Sequence, residues 1–392
     1  MRTVDTDNIR FVEGGVISAR EFSEPSGDVK ICDSVNAEYF KDGKILCWMG
    51  RGQDAGNATL ICVDEATLTV EKLTDIPGTN AIYVSDGKVL FGYDDGLARL
   101  IDIHSYEVVR DAISTLSAVS AHYKFGQDRL LVRGIQSFAL YSWPEFDCLW
   151  VYKTNEVNCN LLVLDESVYF IHKSGVVALD LNFGDVLWEL TSASWQDKIL
   201  YKGKPPKDTP KIRMEVTGIY NNILVLSFDG GGMAGLNIKT QELAWVLDTV
   251  KAGRVQLRIT QDGIGWFKTG YTSIQRLDVA KGVLLPEMHF QFAPVLTSDS
   301  APRVGAFDIS NTHLIADASV PTEDGKQGYI IGINRETGVV DWAVPIPVQG
   351  MLTKLFVLNN RVYATGTTID LDTNEVRSKM FVIEGEGGFR LD

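Results

Sequence analysis

The sequence predicts an all-β fold made of eight repeated units, each a four-stranded antiparallel sheet. The first observation is a phrase of nine residues that recurs along the chain and keeps its internal spacing. The second is that short runs rich in Val, Ile, Leu and Tyr precede the phrases, separated by Gly, Asp and Asn as strands are by turns. The third is that no segment shows the sustained 3.6-residue periodicity of an amphipathic helix.

Each phrase begins at a small polar or acidic residue, the anchor, which stands eight positions before the last residue of the phrase. An apolar residue precedes every anchor, and successive anchors lie 38 to 57 residues apart. Periods in this range indicate a solenoid, an array or a propeller. The anchors are Asp64, Asp102, Ser142, Asp180, Asn237, Asp278, Asn334 and Glu384.

Within one unit, the phrase is predicted to supply the third strand, a tight turn and the fourth strand. The turn needs a positive φ, which suits the glycine found four positions after the anchor in four copies, Gly184, Gly282, Gly338 and Gly388. A four-stranded sheet cannot bury both of its faces alone, so the units are expected to pack face to face in a ring. The prediction is a single eight-bladed β-propeller, or seven blades if the first or the last phrase is not a true blade.

The propeller is predicted to occupy residues 37–392 as one domain, because a single series of repeats leaves no linker or change in composition to mark a boundary. Residues 1–36 precede the first repeat. They are predicted to form an N-terminal closing segment, with one or two extra strands between Ile9 and Phe22 that fasten or cover the ring.

Two copies of the phrase, residues 178–188 and 334–342, closely match the pattern Ala-x-Asp-x-x-Thr-Gly-x-x-x-Trp. From about residue 37 onward, the chain therefore resembles the PQQ-like (quinoprotein-type) β-propeller repeat superfamily, as a non-enzymatic member. In that superfamily, the tryptophans of the phrase pack between neighbouring blades. The resemblance implies this structural role for Trp150, Trp188, Trp245 and Trp342, whereas the other copies have Lys72, Arg110, Pro286 and Asp392 at the position.

The formal net charge is −14, from 51 acidic and 37 basic residues. A surface of this sign repels phosphate backbones, so no nucleic-acid partner is expected. The first residues contain no apolar region of the signal-peptide type, and no apolar run in the chain approaches 18 residues. We therefore expect a cytoplasmic protein without a membrane partner.

No cofactor, metal or catalytic residue is expected. Enzymes of the superfamily hold a quinone and a calcium ion beneath a disulfide of adjacent cysteines, but here the closest cysteines in the sequence are Cys148 and Cys159. The five cysteines contain no Cys-x-x-Cys pair, and the five histidines stand singly without metal-ligand spacing, so structural roles are expected for them. Residues 370–374 open like a calcium loop, but Glu375 stands where that loop needs glycine.

Loop lengths predict a binding face. We call the strands of a blade a to d from the axis outward, so that b–c loops and d–a connections leave one end and c–d turns leave the other. The c–d turns are uniform, whereas long loops are predicted at 49–58, 319–328 and 367–378, and long d–a connections at 194–215 and 289–302. Long loops on a rigid scaffold commonly carry binding residues. The predicted partner-binding residues are Arg51, Gln53, Asp54, Lys202, Lys204, Glu323, Asp324 and Lys326.

These observations favour a non-enzymatic protein that binds a partner protein through its long-loop face. Such a propeller is expected to act in one of two roles. It is either an immunity protein that neutralises a bacterial toxin domain or an assembly scaffold. The alternative class is a propeller enzyme, quinoprotein-like or a lyase, with its site in the central channel. The two classes differ in whether several ionisable side chains gather at the mouth of the channel.

Overall fold

The computed structural model describes residues 10–11, 17–21, 36–40, 44–49, 57–64, 70–77, 79–85, 88–93, 97–102, 105, 107–113, 121–125, 128–134, 136–156, 159–248, 257–293, 295–296, 302–322, 325–346, 352–358, 361–369 and 376–385. Strands dominate this part of the chain, in which helical structure is limited to a 3₁₀-helix at Ser192–Trp195. Among these residues, no helix has the length and apolarity needed to cross a membrane.

The strands are short and are numbered here along the chain. The first ten are β1 (Arg10–Phe11), β2 (Ile17–Glu21), β3 (Asn36–Phe40), β4 (Lys44–Met49), β5 (Asn57–Asp64), β6 (Val70–Pro77), β7 (Thr79–Ser85), β8 (Lys88–Tyr93), β9 (Leu97–Asp102) and β10 (Val108–Ile113). The next eight are β11 (Ala121–Phe125), β12 (Arg129–Arg133), β13 (Ser137–Ser142), β14 (Cys148–Lys153), β15 (Cys159–Leu164), β16 (Ser167–His172), β17 (Gly175–Asp180) and β18 (Val186–Thr191).

The later strands follow after the 3₁₀-helix. They begin with β19 (Ile212–Tyr220), β20 (Ile223–Phe228), β21 (Met233–Asn237), β22 (Glu242–Leu247), β23 (Arg258–Ile259), β24 (Ile264–Lys268), β25 (Ser273–Asp278), β26 (Val283–Leu284) and β27 (Met288–His289). The last are β28 (Arg303–Ile309), β29 (His313–Thr322), β30 (Gly325–Asn334), β31 (Val340–Ile346), β32 (Leu352–Leu358), β33 (Arg361–Ile369) and β34 (Val376–Gly385).

Hydrogen-bonded ladders join the described strands into eight antiparallel sheets, which we number along the chain. Sheets 1 to 5 contain β3–β6, β7–β10, β11–β14, β15–β18 and β19–β22, each in sequence order. Sheet 6 contains β23–β26, with β27 paired to β25. Sheets 7 and 8 contain β28–β31 and β32–β34, and each takes one further strand from the N-terminal segment. The prediction of an all-β chain of antiparallel sheets is confirmed.

The chain divides into two compact units. One comprises Met1–Ser114, Ala118–His122 and Phe290–Asp392 and holds sheets 1, 2, 7 and 8. The other comprises Thr115–Ser117 and Tyr123–His289 and holds sheets 3 to 6, except for the first two residues of β11. The second unit is therefore built from consecutive sheets, whereas the first combines early and late segments of the chain.

In the c–d turns that the structure describes, the side chain of the anchor holds the turn. Asp180 Oδ1 accepts hydrogen bonds from the backbone N–H groups of Asn182 and Phe183, at 2.8 and 2.9 Å. The side chains of Asn237 and Asn334 accept the equivalent pairs of bonds in sheets 5 and 7. Short side chains with an acceptor oxygen form such turns readily, which explains why seven of the eight phrases begin with Asp, Asn or Ser.

The residue four positions after the anchor has a positive φ, as predicted. Gly184, Gly282 and Gly338 have φ values of 73°, 66° and 75°, and Gly388 lies outside the described residues. Phe146 and Gln241, which stand at the same position in sheets 3 and 5, also have positive φ values of 58° and 62°. The turn therefore keeps its geometry in copies that lack the preferred glycine.

Two predicted long loops are shorter in the structure because the flanking strands continue into them. In sheet 7, the ladder between β29 and β30 extends to the pair of Thr322 and Gly325. In sheet 8, the ladder between β33 and β34 extends to the pair of Ile369 and Val376. Main-chain hydrogen bonds do not require apolar side chains, so polar residues continue these strands. Lys326, predicted in a loop, consequently lies in β30.

The N-terminal segment supplies edge strands to two sheets of the first unit. β2 pairs antiparallel with β34 along its whole length. It thereby occupies the fourth-strand position of sheet 8, which was predicted for a strand following Glu384. β1 pairs antiparallel with β31, with Phe11 opposite Trp342, so that sheet 7 has five strands. The last two sheets are thus joined to the beginning of the chain.

Buried apolar clusters lie between successive sheets. In the second unit, separate clusters join sheets 3 and 4, sheets 4 and 5, and sheets 5 and 6. In the first unit, another cluster joins sheets 7 and 8. Fully buried aromatic side chains lie in these clusters, with Phe138 and Phe170 between sheets 3 and 4, Phe228 between sheets 4 and 5, and Phe267 between sheets 5 and 6.

The four tryptophans of the phrase pack against these clusters, but they differ in burial. Trp342 is only 2% exposed. Trp150, Trp188 and Trp245 are half-buried. The expectation that they lie at junctions between sheets is confirmed, although only Trp342 is fully buried there.

Two of these junctions show how the tryptophan docks. The Trp150 ring lies so close to Gly184 of the next sheet that a Cβ at that glycine would be 2.7 Å from it. Its indole N–H donates to the Leu181 carbonyl at 2.9 Å. Trp245 repeats both contacts with sheet 6, packing on Gly282 and donating to a carbonyl at 2.9 Å. The glycine of the turn therefore leaves room for the tryptophan of the preceding sheet.

Candidate functional site

The d–a connection between sheets 4 and 5, residues 192–211, lies on the b–c end of both sheets. Backbone N–H groups at its two ends, Ser192 and Ile212, donate to carbonyls of the β16–β17 turn at 2.7 and 2.9 Å. The carbonyl of Lys211 accepts from Asp229 N–H, in the β20–β21 turn, at 2.9 Å. This is the end of the sheets at which the sequence predicts binding. We call residues 192–211 the lysine connection.

Apolar side chains hold the lysine connection against the core. Trp195 and Ile199 are 3% and 0% exposed and belong to the cluster between sheets 4 and 5. The Trp195 ring meets the Phe228 ring edge to face, with centroids 6.4 Å apart. Its lysines are instead exposed: Lys198, Lys202, Lys204, Lys207 and Lys211.

The tip of the lysine connection is a tight turn. Tyr201 and Lys204 exchange two backbone hydrogen bonds of 2.8 and 3.2 Å around Lys202 and Gly203. Both central residues have positive φ, 51° and 76°, as in a type I′ turn. Asp248 Oδ2 also accepts a hydrogen bond of 2.6 Å from the Gly203 N–H. Lys202 and Lys204, both predicted for binding, thus project from one defined backbone.

The three-glycine turn between β20 and β21 forms the seat of this tip. A Cβ added at Gly230 or Gly232 would lie 3.1 Å from the Tyr201 ring. Gly230 also has a φ of 98°, a conformation that favours glycine. Partial burial raises the pKa of the Tyr201 phenol, and the Asp229 charge raises it further. Glycines here therefore allow the lysine connection to pack closely on sheet 5.

The lysine connection has a charge opposite to that of the whole chain. Residues 192–211 contain five basic side chains and two acidic ones, in a protein whose formal charge is −14. A local patch of this kind attracts a partner surface rich in carboxylates and steers its approach.

Of the other predicted binding residues, the structure describes Lys326. It is exposed and lies in the β29–β30 hairpin of the first unit. The remaining five lie outside the described residues: Arg51, Gln53, Asp54, Glu323 and Asp324. The structure thus brings together Lys202 and Lys204, and each unit contributes a described cation at a b–c end.

His313 is buried, and both of its ring nitrogens have partners in sheet 7. Nε2 lies 3.0 Å from Asp341 Oδ2, and Nδ1 lies 2.7 Å from Thr312 Oγ1. The anchor Asn334 donates to the same Asp341 oxygen at 3.2 Å. The imidazole therefore ties the beginning of β29 to the beginning of β31, a structural role that agrees with the prediction.

A cysteine, a histidine and a glutamate meet at the b–c end of sheet 4, a grouping not predicted from the sequence. Cys159 lies opposite His172 in the ladder of β15 and β16. His172 Nδ1 lies 3.2 Å from Glu156 Oε1, although the two are not aligned as a hydrogen bond. The only signal in the sequence was the register, which the turn between the two strands determines.

The surroundings of Cys159 do not activate its thiol. Burial raises its pKa, with a smaller lowering by Arg133 and a further raising by Glu156. A raised pKa keeps the thiol protonated near neutral pH, whereas a nucleophilic cysteine needs the thiolate. Within the described residues, no group of three or more His, Cys, Asp or Glu side chains is placed to hold a metal ion.

Comparisons with known proteins identify the fold. No protein-family model and no curated protein sequence matches the chain. The computationally designed protein Ika8 has a similar structure, with 16% identity, 91% of this chain and 98% of that chain covered, and a TM-score of 0.61. BamB from Moraxella catarrhalis is similar at 15% identity, over 95% of this chain and 99% of its own, with a TM-score of 0.57.

BamB is a PQQ-like β-propeller repeat protein, so the likeness supports a β-propeller fold for this chain. At 15% identity it shows the fold alone. Since 1330 solved chains share significant similarity with this one, the fold does not select a function.

Proposed function

We propose that the chain is a non-enzymatic propeller, with its eight sheets as blades of one ring, that binds a partner protein at the b–c end. The lysine connection is the observation that carries the proposal. Its exposed lysines project from a backbone held by Trp195, Ile199 and the Gly203–Asp248 hydrogen bond. A preorganised surface loses little conformational entropy on binding, which favours affinity.

The charges define the chemistry of the partner. The lysine connection and the predicted cations Arg51 and Lys326 call for carboxylates opposite them, whereas the net charge of −14 favours basic side chains elsewhere on the partner. A toxin domain that itself binds nucleic acid has such basic side chains, so we propose the role of a cytoplasmic immunity protein. An assembly scaffold is the second role in which a protein partner occupies this surface.

Charge reversal tests the lysine connection directly. The tagged full-length protein and its Lys202→Glu/Lys204→Glu variant are used to isolate partners from the native cells, with quantification by mass spectrometry. We expect the recovery of the partner to fall at least about tenfold in the variant, because attraction between the lysine connection and the partner becomes repulsion.

Lys239→Glu provides a matched control, since Lys239 is exposed at the c–d turn of sheet 5, the opposite end of the same sheet. This variant should retain the partner. If every recovered protein depends on Lys239, or none depends on Lys202 and Lys204, the binding face is assigned to the wrong end.

The purified partner then allows the other predicted binding residues to be tested, and it distinguishes the two proposed roles. Arg51→Glu and Lys326→Glu should slow association and weaken its salt dependence, with little change in dissociation.

In the immunity role, the partner arrests growth when expressed alone, and co-expression of this chain restores growth. A partner without toxicity indicates the scaffold.

A further inference from the structure

The outer strands of sheets 3 and 4 expose large apolar side chains close to their c–d turns. Leu149 in β14 is 50% exposed. Phe183, Val186 and Leu187, in the turn and first residues of β18, are 73%, 52% and 51% exposed. Isolated exposed apolar residues are ordinary, whereas contiguous apolar surface marks an interaction site.

Contacts between the two sheets join the segments that carry these side chains. Trp150, next to Leu149, packs on Gly184, next to Phe183. Its indole N–H donates to a carbonyl of the β17–β18 turn at 2.9 Å. Arg129 of sheet 3 also donates a hydrogen bond to Asn182 in that turn. The exposed apolar residues of the two sheets therefore belong to segments that meet at one junction, and we call these residues the outer-edge patch.

β18 is an edge strand, with a ladder partner on one side only among the described residues. Alternate N–H and C=O groups of an edge strand point away from the sheet and can pair with another chain. The equivalent strand of sheet 7, β31, does accept a further antiparallel strand, β1. Val340 of β31, whose N–H donates to the Gln291 carbonyl, is 0% exposed, whereas Val186, at the same position of the phrase in β18, is 52% exposed.

The chain segments of the outer-edge patch are rich in carboxylates, and Arg129 of sheet 3 lies beside them. Residues 142–150 and 180–190 contain no Lys or Arg. They contain five acidic residues, of which Asp180 is half-buried and the rest are exposed: Glu145, Asp147, Asp180, Asp185 and Glu189. An apolar edge with this border complements an extended segment in which apolar side chains alternate with lysine or arginine.

We propose that the outer-edge patch is a docking site for such a basic, apolar segment of a partner protein, which adds antiparallel to β18 as a fifth strand of sheet 4. Apolar side chains of the segment cover Leu149, Val186 and Leu187, and its cations meet the surrounding carboxylates. The site goes beyond the proposed function, because it lies at the c–d end of sheet 4 and has the opposite charge to the lysine connection.

A designed peptide tests the site on the full-length protein. The probe is a fluorescein-labelled ten-residue peptide of alternating valine and lysine, followed by fluorescence anisotropy. A peptide with the same composition, but with all valines before all lysines, is the control for charge alone. We expect saturable binding of the alternating peptide, at least about tenfold tighter than the control, because only alternation places one face on the apolar edge.

Two pairs of substitutions locate the binding. Phe183→Ser/Leu187→Ser should lower the affinity for the alternating peptide at least about tenfold, since both exposed side chains lose their apolar contact. Val108→Ser/Val109→Ser is the matched control, because these residues are 48% and 51% exposed on β10 of sheet 2. It should leave the affinity unchanged, as should Lys202→Glu/Lys204→Glu, which separates this site from the lysine connection.

Hydrogen exchange provides a readout that does not depend on any variant. The alternating peptide should protect backbone amides within residues 186–191. Equal binding of the two peptides, protection elsewhere only, or no binding at all would overturn the proposal. Self-association of the protein that the Phe183→Ser/Leu187→Ser variant abolishes would also overturn it, because a second copy would then occupy the edge.

Discussion

Gly184 meets two structural requirements that no other residue type meets together. Its φ of 73° lies in the left-handed region, and the Trp150 ring occupies the space of a side chain. Phe146 and Gln241, at the same position in other copies of the turn, meet only the first requirement, because they also have positive φ values. Close approach of the tryptophan, rather than φ, is therefore the stricter condition.

This distinction predicts unequal effects for two glycine substitutions. Gly184→Ala should lower the free energy of unfolding by about 3 kcal/mol, combining backbone strain with overpacking against Trp150. Gly203→Ala should cost about 1–2 kcal/mol, because its φ is 76° but no atom lies within 4 Å of the added Cβ. Urea unfolding followed by circular dichroism measures both. Equal losses would show that strain alone matters at residue 184.

At the scale of elements, the junction between sheets depends on how deeply the tryptophan of the phrase is buried. Trp342 is 2% exposed between sheets 7 and 8, and the half-buried Trp188 packs against the cluster between sheets 4 and 5. A shared position in the phrase therefore does not imply an equal contribution to stability.

Truncation to alanine should reveal this difference. We expect Trp342→Ala to cost about 3–5 kcal/mol, the usual range for removing a buried aromatic side chain. Trp188→Ala should cost about 1–2 kcal/mol, because part of its ring is already in contact with water. The midpoint of urea unfolding compares the two variants. A larger loss for Trp188→Ala would contradict the burial argument.

The features that could be predicted from the sequence are local. Asp180 and the two N–H groups that donate hydrogen bonds to it lie within three residues of one another, so spacing alone predicts the c–d turn. The pairing of Cys159 with His172 depends on strand register, and the pairing of β2 with β34 joins distant parts of the chain. Neither leaves a pattern within a short window.

Each of the two candidate surfaces likewise has features that the sequence predicts and features that depend on the fold. The length and the lysines of the connection are visible in the sequence, whereas its attachment through Trp195 and Ile199 depends on the core between two sheets. Val186 and Leu187 have the composition of core residues, and their exposure follows only from the edge position of β18.

For the whole molecule, the repeats predict one closed ring. A single folded body of 392 residues should have a radius of gyration of about 21 Å. Small-angle X-ray scattering should return this value with a single maximum in the pair-distance distribution. A clearly larger radius with two resolved maxima would show that the two compact units are separate bodies.

The pairing of β2 with β34 has a consequence for synthesis on the ribosome. At about 5–20 residues per second, β2 emerges on the order of half a minute before the strand that it pairs with. Sheets 3 to 6 consist of consecutive strands, so they can form during this interval, whereas sheet 8 must wait. A newly made chain therefore carries an unpaired strand near its start through most of translation, and a molecular chaperone that shields such edges would raise its yield.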